Sequence, residues 1–273
     1  MGAHHRHSRL GARVVNRSPS ISRAHRYAQI SILGLAGFCP PCLAAESVNL
    51  NELAIKWGPL LLKGFALDVL ISVCAMLLGT LLGVLLGIGQ IARPRALRSA
   101  AHFITQFFRN APWLVLLFFC VLLLPYEIHV AGFSIPLPGW AKGIVGLALP
   151  VMGNVSEVVR GGIQSVASGQ WEAAESLAMN RRKVLFIIIF PQALKRMLPP
   201  WMNVYATLMM ATPLVSIVGV EESLTMAQAI LSAERDPGLL MPIYGVLLLM
   251  FFAYCAPIAY CTRRLEKRFA SRQ

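Results

Sequence analysis

Apolar stretches long enough to cross a bilayer alternate with short polar clusters along most of this chain, and that alternation predicts its architecture. Residues 60–91, 103–124, 141–159, 201–220 and 239–261 each supply about the 20 apolar positions a membrane helix requires. The pattern predicts an all-α, polytopic membrane protein with five transmembrane helices. Within the first stretch Gly79, Gly83 and Gly87 recur every fourth position, so they share one helix face and allow a neighbouring backbone to come close. Thr212-Pro213 interrupts the fourth stretch, where proline removes one backbone donor. Ahead of the first span, residues 30–38 form a short apolar run followed by Pro40-Pro41 and Leu43-Ala44-Ala45. That length and small-residue end fit a signal-peptide core, with an uncleaved extra helix as the alternative. The chain divides accordingly into a basic tail plus signal-like segment, residues 1–45, and a transmembrane domain, residues 46–273.

Composition sharpens this reading. Of 273 residues 56% are hydrophobic and only 14% charged, with a mean hydropathy of +0.63, whereas a soluble domain carries about a quarter charged residues. The net charge of +13 sits in clusters between apolar spans rather than along one face, which argues against nucleic acid as a partner. Read by the positive-inside rule, Arg93, Arg95 and Arg98, the basic residues of 181–196, and Arg263, Arg264, Lys267 and Arg268 are cytoplasmic. The proline-rich segment 125–140 and the acidic residues Glu221, Glu222, Glu234 and Asp236 then lie outside, with the amino end out and the carboxyl end in. Cys39 and Cys42 flank two prolines with no second ligand pair, and His4, His5 and His7 belong to a solvated basic tail, so no metal site is expected.

One interior stretch, residues 169–200, is polar and helix-forming, and is built to touch something soluble. Ser168 stands where it would cap a helix over residues 170–180, with Glu172 and Glu175 in the first turns and Arg181, Arg182 and Lys183 at the end, the charge order that suits the helix dipole. Trp171, Ala174 and Ala178 fall on one face of that helix, and the alanines would admit a partner surface closely. An interfacial helix resting on lipid is the alternative. The apolar run 184–190 is expected to stop at Pro191, and Pro199-Pro200 to close the loop.

Charge inside the spans marks candidate function, because it is costly in a bilayer. Arg109 and Glu157 are expected at similar depth toward the cytoplasmic side. Either they pair with each other between helices, or they face a cavity and meet the carboxylate and amino group of a zwitterionic substrate. Asp68 either lines that cavity or hydrogen-bonds a neighbouring helix on the external side. Arg160 is expected to snorkel to the interface, and Thr212-Pro213 is either a packing kink or a substrate contact. No GxxxxGK[ST] phosphate loop, HExxH or GxSxG occurs, so the chain is not expected to be an enzyme or to bind ATP in the P-loop manner.

Glu172-Ala173-Ala174 followed by Ile188 and Pro191 resembles the EAA loop of membrane subunits of bacterial ABC importers. Pro191-Gln192-Ala193 with Leu198-Pro199-Pro200, Phe108-Arg109-Asn110-Ala111-Pro112, Glu157, Arg160, Gly161-Gly162, Asn203 and Thr212 extend the resemblance, over roughly residues 55 to 270, to the polar amino acid permeases of histidine, glutamine and arginine type. Ala178 stands where that family usually has Gly, and Ala211-Thr212-Pro213-Leu214 replaces its Lys-Thr-Ser-Leu or Asp-Thr-Ser-Leu. The resemblance implies a permease subunit in the bacterial inner membrane, working beside a separate ATPase that carries ATP and Mg, a second permease subunit and an external binding protein. The loop would then dock on the ATPase through Trp171, Glu172, Ala173, Ala174, Ala178 and Pro191. A self-sufficient carrier or channel is the competing function, although no internal repeat of the kind common in carriers is visible.

Overall fold

The computed structural model describes residues 50–130 and 133–270, so the basic tail, the CxxC pair and the signal-like segment lie outside the described residues. Helix α1, Leu50–Gln90, is 41 residues long, about 60 Å at 1.5 Å per residue and well over the thickness of a hydrocarbon core. Helices α2, Arg95–Asn110, and α3, Trp113–Leu123, follow. A two-stranded antiparallel hairpin, β1 Glu127–Val130 with β2 Phe133–Pro136, pairs Glu127 with Pro136 and His129 with Ser134. Then come α4, Gly139–Gln164, and α5, Ser168–Ser176. A single turn, Arg181–Lys183, and a π-helical segment, Val184–Ile189, lead into α6, Phe190–Ala211. A 3-10 segment, Thr212–Val218, α7, Ser223–Glu234, and α8, Leu240–Ala270, complete the described chain. Among the described residues four helices are long and apolar enough to cross a membrane, or five when α2 and α3 count as one bent span.

Three expectations change at prolines. The second span is not one helix over 103–124: α2 and α3 meet at 103°, because Pro112 cannot donate a backbone bond and holds Ala111 extended at φ −71°, ψ 139°. Pro191 does not stop a helix but sits in the first turn of α6, continuous with the π-helical turns before it, although proline removes the N–H that a carbonyl of those turns could have received. The wider π turns just before it leave room for the proline ring beside the Ile187 carbonyl. Pro199 and Pro200 likewise do not close the loop, since α6 runs on to Ala211; the carbonyls they leave unpaired, those of Lys195 and Arg196, belong to residues that line an open cavity. The external segment after α3, expected to be a plain loop, is the hairpin, and the acidic segment near 221–236 contains α7.

The core is the seam between α1 and α4. A Cβ built on Gly79 would stand 2.5 Å from Val151 Cγ1, one on Gly83 would stand 2.8 Å from Val155 Cβ, and one on Gly87 would stand 2.8 Å from both the Ser156 carbonyl and Val159 Cβ. The three glycines therefore let valines spaced four apart on α4 rest on the α1 backbone. Near the Gln90 end the seam is polar: Gln90 Nε2 donates to Thr105 Oγ1 at 2.9 Å and Ser156 Oγ at 3.2 Å, tying α1, α2 and α4 together. At the other end Lys142, fully buried, donates to the Leu124 and Val121 carbonyls at 2.9 and 3.3 Å and lies 3.5 Å from the Tyr126 ring centre. The cation satisfies carbonyls that the end of α3 leaves unpaired, a favourable place for positive charge. Lys56 Nζ and Trp57 Nε1 donate to Glu234 Oε1 at 2.6 and 2.7 Å, clasping the start of α1 to the end of α7, and the Lys56 bond holds the Glu234 carboxyl below the usual carboxylate range.

The loop helix is shorter than expected and differently capped. It spans Ser168–Ser176 rather than 170–180, and Ser168 is its first residue rather than its cap, which is Ala167. Ala178 lies outside the helix with φ 53°, the left-handed region where a Cβ costs about 1–2 kcal/mol. That backbone angle is the physical reason a glycine suits this position. Ala178→Gly is expected to stabilise the loop by roughly 0.5 kcal/mol, strain relief offset in part by the greater freedom of glycine in the unfolded chain. Amide hydrogen exchange over residues 174–180 checks it: faster exchange in the glycine variant would contradict the strain.

Candidate functional site

Beside the α2–α3 bend the carboxyl half of α4, the amino half of α6 and the end of α8 enclose an open cavity of about 850 Å3. Arg109, Asn154, Glu157, Gln192, Lys195 and Asn203 line it, with Pro199 and Pro200 beside them. Arg109 is in the last turn of α2, brought to the cavity because the chain turns at Ala111-Pro112, and a Cβ on Gly153 would stand only 2.8 Å from the Arg109 backbone nitrogen. That close approach of α4 to the bend sets the distance between Arg109 and Glu157 of α4.

Arg109 and Glu157 do meet, with Nη1 3.8 Å from Oε2, and the guanidinium side chain stays 43% exposed. The contact is loose because Glu157 already has a tighter partner. Arg160, one turn along α4, donates from Nη2 to Oε2 at 2.6 Å and from Nε to both carboxylate oxygens at 3.2 and 3.3 Å. Arg160 therefore pairs with Glu157 along one helix face, a contact within reach at i, i+3 spacing. Arg160 also donates to Gln164 Oε1 at 2.8 Å. Removing Arg109 would thus leave Glu157 paired, a structural asymmetry that the two residues alone did not reveal.

The other residues predicted for the path lie elsewhere. Asp68 is buried against α7, where its Oδ2 accepts from the Ser223 hydroxyl and from the Ser223 N–H at 3.4 Å; of the two readings, the helix-to-helix hydrogen bond is the one observed. Glu222, also buried, caps α7 by accepting from the backbone N–H groups of Leu224 at 2.8 Å and Thr225 at 3.0 Å. Thr212 is buried with its hydroxyl donating to the Met209 carbonyl at 2.8 Å, and neither it nor Pro213 lines the cavity. The local cause is geometric: the switch from α-helix to 3-10 helix at Thr212 turns the threonine inward. Among the lining residues that sequence reasoning did not single out for the path are Asn154, Lys195, Arg196 and Glu266, and Asn154 carries one signal, a polar side chain within an apolar run.

In the loop, Trp171 is half-buried and Ala174 buried, packed on the π segment with Val184 and Ile189. The stripe expected to face a partner therefore faces its own chain, because the apolar run that follows folds back beneath α5. Arg181 lies over the Trp171 ring at 5.4 Å, and Gln192 Nε2 bonds Gln170 Oε1 at 3.3 Å. What the loop turns outward is Glu172, Ala173, Glu175 and Leu177, the last 75% exposed.

A bundle of membrane-length helices, with a polar cavity open at one end and an anchored loop beside it, is the architecture of a transporter's membrane subunit. The family described as the binding-protein-dependent transport system inner membrane component matches residues 79–271, and the chain belongs to that family. It is 32% identical over 225 residues to the probable amino-acid ABC transporter permease protein YckA of Bacillus subtilis (strain 168), covering 82% of this chain and 96% of that one. It is 31% identical over 218 residues to the probable glutamine ABC transporter permease protein GlnP of the same organism, covering 80% and 95%. The crystal structure of an amino acid ABC transporter with histidines matches the fold with a TM-score of 0.69 at 24% identity, over 82% of this chain and all of that chain. The family that the sequence resembles is thereby shown, and the reading as a self-sufficient carrier or channel is set aside.

Proposed function

We propose that this chain forms half of the translocation path of an ATP-driven ABC importer, passing a polar amino acid or related small solute delivered by an external binding protein. The observation that carries the substrate class is the cavity's pairing of an exposed cation with a carboxylate 3.8 Å away, flanked by Asn154 and Asn203. Arg109 can leave its loose pair to accept a substrate carboxylate in bidentate fashion. Glu157, held by Arg160, presents its carboxylate toward a substrate ammonium. Amides of Asn154 and Asn203 complete the hydrogen bonds a zwitterion needs once it leaves water. The relatives named as amino-acid and glutamine permeases support the same class.

In this reading ATP and Mg2+ bind a separate ATPase subunit, a second permease copy or paralogue closes the path, and lipid surrounds the spans. The membrane is the bacterial inner membrane with the carboxyl end in the cytoplasm, supported by the Arg263–Arg268 cluster at the end of α8. Arg109→Gln is expected to leave the protein folded, because Glu157 keeps Arg160, and to raise the uptake KM by roughly 10-fold or more, the weight of a charged hydrogen bond. Uptake of labelled amino acids by the reconstituted complex measures it. An unchanged KM would assign Arg109 to helix pairing alone.

A further inference from the structure

A second cavity, of about 800 Å3, lies on the other side of the loop and takes no part in the path just described. It opens between the α1–α2 connection and the turn after α5. Arg93, Arg98, Arg181 and Arg182 line it, and no acidic residue does. Among the described residues no carboxylate lies within ion-pairing distance of any of these four arginines. The first turn of α2, at Pro94, Leu97 and Arg98, also reaches the cavity, and that helix start has no side-chain cap, so its free N–H groups add to the positive field. Four unneutralised cations around one cavity call for an anion of more than one charge contact.

The rest of the lining is apolar, which a site for a free anion has no use for. Ile88, Leu97, Leu185 and Phe186 face the cavity, with Leu97 53% and Phe186 54% exposed. Outside it, Leu77, Leu81 and Leu85 run down α1 at four-residue spacing, 64, 63 and 63% exposed, and Ile88 continues that stripe to the cavity mouth. A cationic pocket is thus joined to an exposed apolar stripe as long as three helix turns. We propose that this cavity binds the headgroup of an anionic phospholipid of the leaflet on the loop's side, with an acyl chain lying along Leu77, Leu81 and Leu85. Because Arg181 lies over the Trp171 ring of α5, an occupied site ties the α1–α2 connection to the loop, and the lipid acts as a brace on the segment that the family resemblance implies docks on the ATPase.

The test uses the full-length chain in nanodiscs of dioleoylphosphatidylcholine doped with dioleoylphosphatidylglycerol, with bound lipid counted by native mass spectrometry after transfer to detergent. Wild type is expected to retain phosphatidylglycerol in preference to phosphatidylcholine. R98Q/R182Q is expected to bind phosphatidylglycerol roughly 25-fold more weakly, a factor of about 5 for each arginine, while R98K/R182K stays within a few-fold of wild type. If the double variant fails to fold, the two single glutamine variants carry the test, each with its about 5-fold loss. Equal retention of phosphatidylglycerol by wild type and the glutamine variants overturns the proposal. So does full displacement by millimolar glycerol 3-phosphate, which would make the cavity a site for a soluble anion. Loss of the co-purifying ATPase with lipid retention unchanged also overturns it, by assigning the arginines to a protein interface.

Discussion

Gly83→Ala is expected to lower the stability of the folded chain by about 1–3 kcal/mol, and Gly83→Leu to prevent folding altogether. The added Cβ would stand 2.8 Å from Val155 Cβ and 2.9 Å from the Met152 carbonyl oxygen, and only one of these neighbours is a side chain. Val155→Ala can relieve the first contact but not the second, so the double variant recovers only part of the loss. Gly161 provides the internal comparison: it lies in α4, yet a Cβ there meets nothing within 4 Å. Gly161→Ala is expected to be neutral or mildly stabilising, since alanine is the better helix former by about 1 kcal/mol. Melting of the purified variants in detergent decides the matter. Equal melting temperatures for Gly83→Ala and Gly161→Ala would show that α1 and α4 are not held at backbone distance.

Leu177→Asp is expected to leave the chain inserted and folded while reducing ATP-driven uptake at least tenfold. Leu177 is the large apolar side chain that α5 exposes at its end, at 75%, and a docked partner would take that apolar area out of water. Burying an aspartate there against an ATPase would desolvate a charge with no partner. Ala174→Asp, three positions earlier, should behave differently although it sits within the EAA-like sequence. Ala174 is only 2% exposed, so the charge would be forced into the packing of Val184 and Ile189, and the loop itself should come apart. The paired measurement is ATPase co-purification together with limited proteolysis of residues 165–200. Normal association and uptake by Leu177→Asp would remove this loop as the coupling element; a protease-resistant Ala174→Asp loop would contradict the packing.

The contrast between these two positions shows what could be read in advance. Helical spacing put Trp171, Ala174 and Ala178 on one face, and the first two do share an environment. Which way that face points depends on where residues 184–189 fold, and their apolar run is compatible with several placements until α6 fixes it. Ala178 fell off the face because the helix ended four residues earlier than its composition suggested, and helix ends follow from capping and packing as much as from propensity.

Hydropathy determined the class of this protein and four of its five predicted spans, and four-residue spacing determined the glycine face of α1. These are properties of single segments in lipid, where backbone bonds must be satisfied internally and the number of solutions is small. The Phe108–Pro112 and Glu172–Pro191 motifs determined the family. Tertiary structure decided the rest. It gave Glu157 to Arg160 with Arg109 as a loose third member, withdrew Asp68 and Thr212 from the path, and buried Lys142 under the carbonyls of α3. Each of these outcomes depends on which partner another segment brings within hydrogen-bonding distance, and a buried polar group takes the nearest partner that satisfies it. Spacing along one helix can nominate such groups, but only the crossing of two helices determines the distance between them.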